Sequence, residues 1–446
     1  MATKVKSVWY CTSCGNESPK WMGRCPACGE WNTMVEEPRE SRKASASGAA
    51  PSERRKPVLL NEIAPTGEVR VSLNSAEVDR LLGGGIVPGS LVLIGGEPGI
   101  GKSTLLLQTA ASIKSGGRVL YVSGEESGSQ IRARADRLKI DTSNIDILCT
   151  LRLDDITNAL NSLNPVCVVV DSIQTVYSAE AGLVPGTINQ LKYCSNELIS
   201  WVKERDSVLF LSAHVTKDGV IAGPKSLEHM VDTVISFERN SDDVRFLRAQ
   251  KNRFGSVDEL GIFSMNENGL MPVEDPSAMF ITQREGKLPA GIAIVPVFEG
   301  SRVFMVEIQA LTIPAKASIA RVFSEKIESA RVSRVAAVLE KKSGLKLSEY
   351  DLYVNVAGGV RLTESAIDLA LAAALYSART DLPCPDAAAL AGEISLAGEI
   401  RPVNRLKQRI KTAQSLGFNR IFAPEKSADT VFVSDIKSLI KELFGA

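Results

Sequence analysis

The chain has no net charge to offer a partner. Its 446 residues carry 52 Lys plus Arg against 52 Asp plus Glu. That balance excludes a protein that coats nucleic acid through bulk charge, so any such contact must use a local basic groove. A long apolar run is also missing. Met1 to Tyr10 hold no apolar signal core. The most apolar later stretch, Ile367 to Tyr376, is broken by Asp368 and is far shorter than the roughly 20 residues a membrane span needs. Nor is there a disulfide framework: Cys149, Cys167, Cys194 and Cys384 are scattered, as buried reduced thiols are. No internal repeat is visible. These absences leave a soluble, cytosolic chain without membrane contact. With 44% apolar residues it can bury a core, and its length suits two or three domains.

Composition divides the chain. Residues 1–35 are rich in Cys and Trp. Residues 36–57 carry almost no large apolar side chain and read as a flexible linker. Over 58–270, short apolar runs alternate with helical patterns. Strands are expected at Ser90–Ile94, Arg118–Val122, Val166–Val170, Val208–Ser212 and Thr233–Phe237, each nearly continuous in apolar character, as in a parallel sheet covered on both faces. Helices are expected at Ser103–Lys114 and Ile188–Glu204, which makes an α/β core. A further unit spans 271–446, with strands at 292–298 and 302–310 and helices at 318–342 and 364–378.

Four cysteines stand apart from the scattered ones. Cys11-Thr-Ser-Cys14 and Cys25-Pro-Ala-Cys28 are paired CxxC knuckles, each followed by glycine. Two thiolates on a tight turn grip one ion from the same side, and a second pair completes the tetrahedron that Zn²⁺ accepts. Two disulfides are the alternative, disfavoured in a cytosolic chain. With all four positions filled by protein, the metal is structural and supplies folding energy to a fragment with little core. Trp21 and Trp31 are expected to pack on this site, with base stacking as the other possibility.

Gly96, Glu97, Pro98, Gly99, Ile100, Gly101, Lys102, Ser103 and Thr104 follow an apolar strand and open a helix. This is the P-loop pattern, in which backbone N–H groups and a helix N-terminus cradle phosphates. Lys102 would neutralise the β- and γ-phosphates of ATP, and Ser103 would ligate Mg²⁺. Asp171 ends the strand Val168-Val-Val and would hold Mg²⁺ through water, unless it only caps the next turn. Glu125 or Glu126, at the end of the next strand, would orient the attacking water; an acidic surface pair is the alternative. His214, one of two histidines, ends another strand and is either structural or a phosphate sensor.

The approach Leu82-Gly-Gly-Gly-Ile-Val-Pro-Gly89, set before this strand and P-loop, resembles RecA/DnaB-type ATPases. More closely, the chain resembles the bacterial RadA (Sms) family. The knuckle pair, the pentapeptide Lys251-Asn252-Arg253-Phe254-Gly255 and a C-terminal region similar to the Lon protease domain carry the match, in the same order over nearly the whole length. The resemblance implies a zinc ribbon, a RecA-like ATPase core and an α+β Lon-like domain. It further implies a hexameric ring that moves on single-stranded DNA, drives branch migration of branched intermediates and cooperates with RecA. Lys251 and Arg253 would then act on the neighbouring subunit's γ-phosphate, although alone they read equally as a basic turn. Loops near 174–189 and 216–227, the second with Lys217 and Lys225, would face the DNA channel.

The Lon-like segment departs from a working protease. Ala366 stands where the nucleophile belongs and Ser365 lies one place early, turned away by about 100° on a helix. Lys407 matches the base, but a dyad without its serine is incomplete. The region then reads as a ring-forming scaffold, with Arg401 to Lys411 as a basic helix that would touch DNA. Three rival readings remain at this level: a peptidase using Ser365 and Lys407, a nucleotide-switched assembly indifferent to DNA, and a zinc unit that is itself the main nucleic-acid reader.

Overall fold

A computed structural model describes residues 7–11, 17–26, 29–38, 59, 70–113, 116–181, 187–214, 225–239, 244–257, 259–273, 277–282, 284, 286–316 and 320–445. They fall into two compact units. One is Met1–Glu238 with Phe246–Val257 and Met265–Pro272; the other is Arg239–Arg245 with Asp258–Ser264 and Val273–Ala446.

The first unit is built on parallel strands in the order Thr233–Arg239, Leu91–Gly96, Val208–His214, Cys167–Asp171, Val119–Ser123 and Ile145–Cys149. Every inner strand is buried on both faces, which is why their sequences read as unbroken apolar runs. One face, with Leu91, Leu93, Leu120, Val122, Val168 and Leu209, packs on Ile156 and Leu160 of helix Leu153–Leu163 and on Leu191, Leu198 and Val202 of helix Ile188–Lys203. Helix Lys102–Ser112 buries Leu105, Leu106, Leu107 and Ala110. Each leucine contributes about 1.5–3 kcal/mol by leaving water.

The observed strands run one or two residues past their expected ends, so Gly96, Ser123, Asp171 and His214 belong to the sheet's carboxyl edge. Strand Ile145–Cys149 was not expected. It is the outer strand of the parallel set, its residues are only partly covered, and the apolar run that marks the inner strands is absent.

At the N-terminus, Glu17–Ser18, Ser7–Cys11 and Met34–Pro38 form an antiparallel three-stranded sheet. Cys11, Cys25 and Met34 are its small core, with Trp9 packed against them. Trp21 and Trp31, expected to pack on the cysteine site or to stack on bases, are 55% and 67% exposed.

The second unit has a sheet ordered Ile292–Glu299, Arg302–Pro314, Tyr350–Val356, Val322–Ser324, antiparallel except for its last pair. Helix Asp368–Thr380 is buried almost throughout and lies on the first two strands. The helix expected over 318–342 starts only at Ser329. Val322 and Phe323 suit a pleated surface and pair with Leu352 and Tyr353 instead. The helix expected from 364 begins at Asp368, after a 3₁₀ turn at Ser365–Ile367.

Candidate nucleotide site

Gly101 carries φ +119° and caps helix Lys102–Ser112. An L side chain is strained there, and the turn aims the first N–H groups of the helix back into the loop. Lys102, the first helical residue, is 5% exposed. Its Nζ donates to the carbonyls of Gly96 (2.8 Å) and Glu97 (2.9 Å) and lies 3.5 Å from His214 Nδ1. Burial pushes the ammonium below its usual pKa, against the opposing pull of Asp171 and Glu125.

Asp171 is equally enclosed. Tyr121 Oη donates to its Oδ2 at 2.9 Å and Ser212 Oγ to its Oδ1 at 2.5 Å. Burial, then the Asp171 charge, raises the Tyr121 phenol well above its ordinary value, so it remains a donor. Two hydroxyl donors orient the carboxylate at the strand end, a position that suits an outer-sphere partner of a hydrated cation.

The two glutamates separate clearly. Glu126 forms a forked ion pair with Arg134 (2.6 and 2.5 Å), eight residues on in helix Gly128–Arg137. Glu125 instead faces the site: Oε1 accepts from Ser172 Oγ at 2.7 Å and lies 3.1 Å from His214 Nε2. Burial alone would raise this carboxyl. The hydrogen bonds from Ser172 and His214, with the charges of His214 and Lys102, outweigh it and hold the group below its usual value. His214 thus bridges Lys102 and Glu125 through its two ring nitrogens. Lys102, Glu125, Asp171 and His214 form one cluster, with Gly96–Gly101 as its rim and Ser103 and Thr104 in the first turn of the helix.

Lys251 and Arg253 lie elsewhere. Leu91 opens the P-loop strand and Gly96 closes it, about 16 Å apart at roughly 3.3 Å per residue. The Lys251–Gly255 segment sits at the Leu91 end, where Arg253 N–H donates to the Asp232 carbonyl (3.1 Å) and Asp232 N–H to that of Leu91 (3.0 Å). Lys251 Nζ donates to the carbonyls of Glu228, His229 and Val231 at 2.8, 3.3 and 2.6 Å, closing the C-terminus of helix Lys225–Met230. Burial, then Arg253, lowers its pKa.

Sequence reasoning missed the packing beneath this segment. Gly83 has φ +84°, and a Cβ there would stand 2.6 Å from the Phe254 carbonyl oxygen and 2.9 Å from Gly255 Cα. Asn252 Nδ2 donates to the Leu81 carbonyl at 3.1 Å. The glycine approach and the pentapeptide are therefore one structure, and glycines on both sides of the crossing, Gly83 and Gly255, permit it.

Of the four clustered cysteines, Cys11 and Cys25 are each 1% exposed. Gly29 N–H donates to the Cys25 carbonyl at 2.9 Å, the tight turn a knuckle needs. Cys14, Cys28, the loop segments 182–186 and 215–224, and Lys217 with them, lie outside the described residues.

In the second unit Ala366 is 2% exposed, and Lys407 points to solvent. Arg409, placed by sequence on a basic face, is turned inward at 2% exposure and forms a forked ion pair with Glu364. Asp368, fully buried, is raised by burial despite Arg331 and Arg334 beside it.

Comparison with known proteins gives three family matches along the chain. Residues 9–36 match the family described as rubredoxin metal binding domain, 71–220 the AAA domain, and 306–427 the subunit ChlI of Mg-chelatase. DNA repair protein RadA of Treponema pallidum (strain Nichols) is 62% identical over 431 residues, 95% of this chain and 93% of that protein. RadA of Bacillus subtilis (strain 168) is 47% identical over 96% of this chain and 94% of its own length. RadA of Rickettsia felis is 43% identical over 99% of both. With a zinc ribbon, a RecA-like P-loop core and a Lon-like C-terminal region in that order, the chain belongs to the RadA family of DNA repair proteins and is an ATP hydrolase.

Proposed function

We propose that this chain is a DNA-dependent ATPase motor that assembles as a hexameric ring in the cytoplasm. It moves on single-stranded DNA and drives branch migration of recombination intermediates together with RecA. The observation that carries the assembly is the position of Lys251–Gly255, a full strand length from the chain's own P-loop. A cation there cannot serve its own nucleotide. It can complete a neighbour's site, where charge supplied in trans makes hydrolysis depend on assembly. Arg253, 54% exposed, is the group that reaches across, while Lys251 secures the carbonyls beneath it.

Within one subunit Lys102 neutralises the β- and γ-phosphates, and Glu125 orients the attacking water and takes its proton. Glu126 is committed to Arg134 and holds the turn. His214, set between Lys102 and Glu125, relays the presence of the γ-phosphate to the base. Ser103 and Asp171 would hold Mg²⁺, which neutralises phosphate charge when bound. In the ribbon, Zn²⁺ would be held by Cys11, Cys14, Cys25 and Cys28; the deep burial of Cys11 and Cys25 suits thiolate ligands in a unit too small to fold on its own core. Loops near 174–189 and 216–227 would track the DNA backbone.

The test is steady-state ATP hydrolysis with and without single-stranded DNA, with Lys102→Ala as the blank. Stimulation that is lost in Arg253→Ala supports the motor. Hydrolysis indifferent to DNA refutes it and favours a nucleotide-switched assembly.

A further inference from the structure

Asp232 is a charged residue with only 5% of its surface exposed, at the turn before strand Thr233–Arg239. Each of its four hydrogen-bonding groups is engaged, two with Leu91 and two with Arg253. Its N–H donates to the Leu91 carbonyl at 3.0 Å and its carbonyl accepts from Arg253 N–H at 3.1 Å. Its Oδ2 accepts from Leu91 N–H at 3.2 Å and its Oδ1 from Arg253 Nη1 at 3.0 Å.

An aspartate that merely satisfied the buried Leu91 N–H would need one oxygen. Here the second oxygen holds a guanidinium that is 54% exposed. An arginine that exposed ordinarily samples many rotamers and gives up that freedom when fixed. Leu91, by contrast, is fully buried and begins the strand that ends in the P-loop. The carboxylate therefore ties a solvent-facing cation to a fully buried position of the sheet, and a fork held by one nitrogen still has donors for phosphate.

We propose that Asp232 is the positioning residue for a trans-acting Arg253, fixing the guanidinium so that it is presented to the neighbouring subunit's nucleotide. This rests on the trans reading above.

Asp232→Asn tests it. The amide replaces one acceptor oxygen with a donor, so whichever way it turns it faces an N–H. Leu91 N–H has no access to water, whereas Arg253 does, so the amide nitrogen turns to Arg253 and releases it. The chain's own P-loop stays intact. Hydrolysis by Asp232→Asn should fall about tenfold or more, a fraction of the ~10³–10⁵ an entire arginine finger contributes, with KM for ATP within about threefold.

The deciding experiment mixes subunits. Lys102→Ala subunits carry a dead site and a sound Arg253; Asp232→Asn subunits carry the reverse. Mixed together they should hydrolyse ATP several-fold faster than the sum of the two alone, because sound halves meet at shared boundaries. A defect in folding or in the subunit's own site cannot be repaired by a neighbour. A mixture equal to the sum, or a wild-type rate for Asp232→Asn alone, overturns the proposal. Arg253→Ala mixed with Lys102→Ala separates the two readings. If that pair recovers and Asp232→Asn does not, only the role of Asp232 fails; if neither recovers, the trans reading fails. Thermal unfolding of Asp232→Asn is checked first. If it does not fold, the same mixing is done with Asp232→Glu, whose longer side chain displaces the guanidinium while keeping both acceptors, and the same recovery is required.

Discussion

Replacing Arg409 by alanine should cost the C-terminal unit roughly 3 kcal/mol. The guanidinium is 2% exposed and saturates its surroundings. Nη1 donates to the Pro296 carbonyl (2.5 Å) and Glu364 Oε1 (2.8 Å), Nη2 to Glu364 Oε2 (2.5 Å) and Nε to the Asn404 carbonyl (3.1 Å). Its plane also covers the Phe298 ring at 4.8 Å. Removing one partner of a buried pair costs about 3–5 kcal/mol, because the other charge is stranded. The Glu364 side chain is 25% exposed, so water relieves part of that cost and the lower end applies. For a domain of about 150–250 residues, each kcal/mol moves Tm by roughly 2–4 °C, giving a fall of about 6–12 °C. Calorimetry on the full chain would read it as a lower unfolding temperature for the C-terminal unit. A paired change, Glu364→Leu with Arg409→Met, should recover most of the loss, since apolar replacements of buried pairs are often neutral. A single mutant within 1 kcal/mol of wild type, or a double mutant as unstable as the single, would refute the reasoning.

Three other outcomes follow from the geometry. Ser172→Ala removes a donor to Glu125, whose carboxyl burial raises and whose hydrogen bonds lower; the acid limb of the pH–rate profile should move to higher pH, and a limb that stays in place means Glu125 is not the base. Gly83→Ala should destabilise the first unit by clearly more than the about 1–2 kcal/mol of a left-handed residue, because its Cβ would meet the Phe254 carbonyl at 2.6 Å. Gly344, at φ +76° with nothing within 4 Å, should cost only the backbone part, and equal losses in urea titrations would dismiss the close packing. Asp435 caps helix Ile436–Phe444, accepting from Ser438 N–H at 2.9 Å. Its Ala variant should lose about 1 kcal/mol. The Ser438 backbone hydrogen bond holds the Asp435 carboxyl below its ordinary value, so the cap's contribution is fully present above that ordinary value and fades as pH falls through the folded one. A wild-type-to-mutant gap unchanged in acid would contradict this.

What could be read from sequence, and what could not, divides by distance along the chain. The P-loop and the carboxylate ending Val168-Val-Val-Asp171 are legible because loop, strand and helix are contiguous, and a strand covered on both faces has an unbroken apolar signature. Strand Ile145–Cys149 is only partly covered and has no such signature, so it was missed. Two adjacent glutamates are chemically identical in a sequence; only the arrival of Arg134 beside one and Ser172 and His214 beside the other separates Glu125 from Glu126. The same holds for Arg409 in a helix that looks basic, since burial and not composition turns one arginine inward. Trp21 and Trp31 show the converse, large apolar residues that the fold leaves in solvent. Gly83 and Gly255 are distant in sequence and touch through their Cα atoms, so each looks like an ordinary loop glycine until both backbones are placed. The chemistry of one subunit is thus written locally. The placement of Arg253 lies in pairings such as Leu91 with Asp232 and Asp232 with Arg253, which no local pattern encodes.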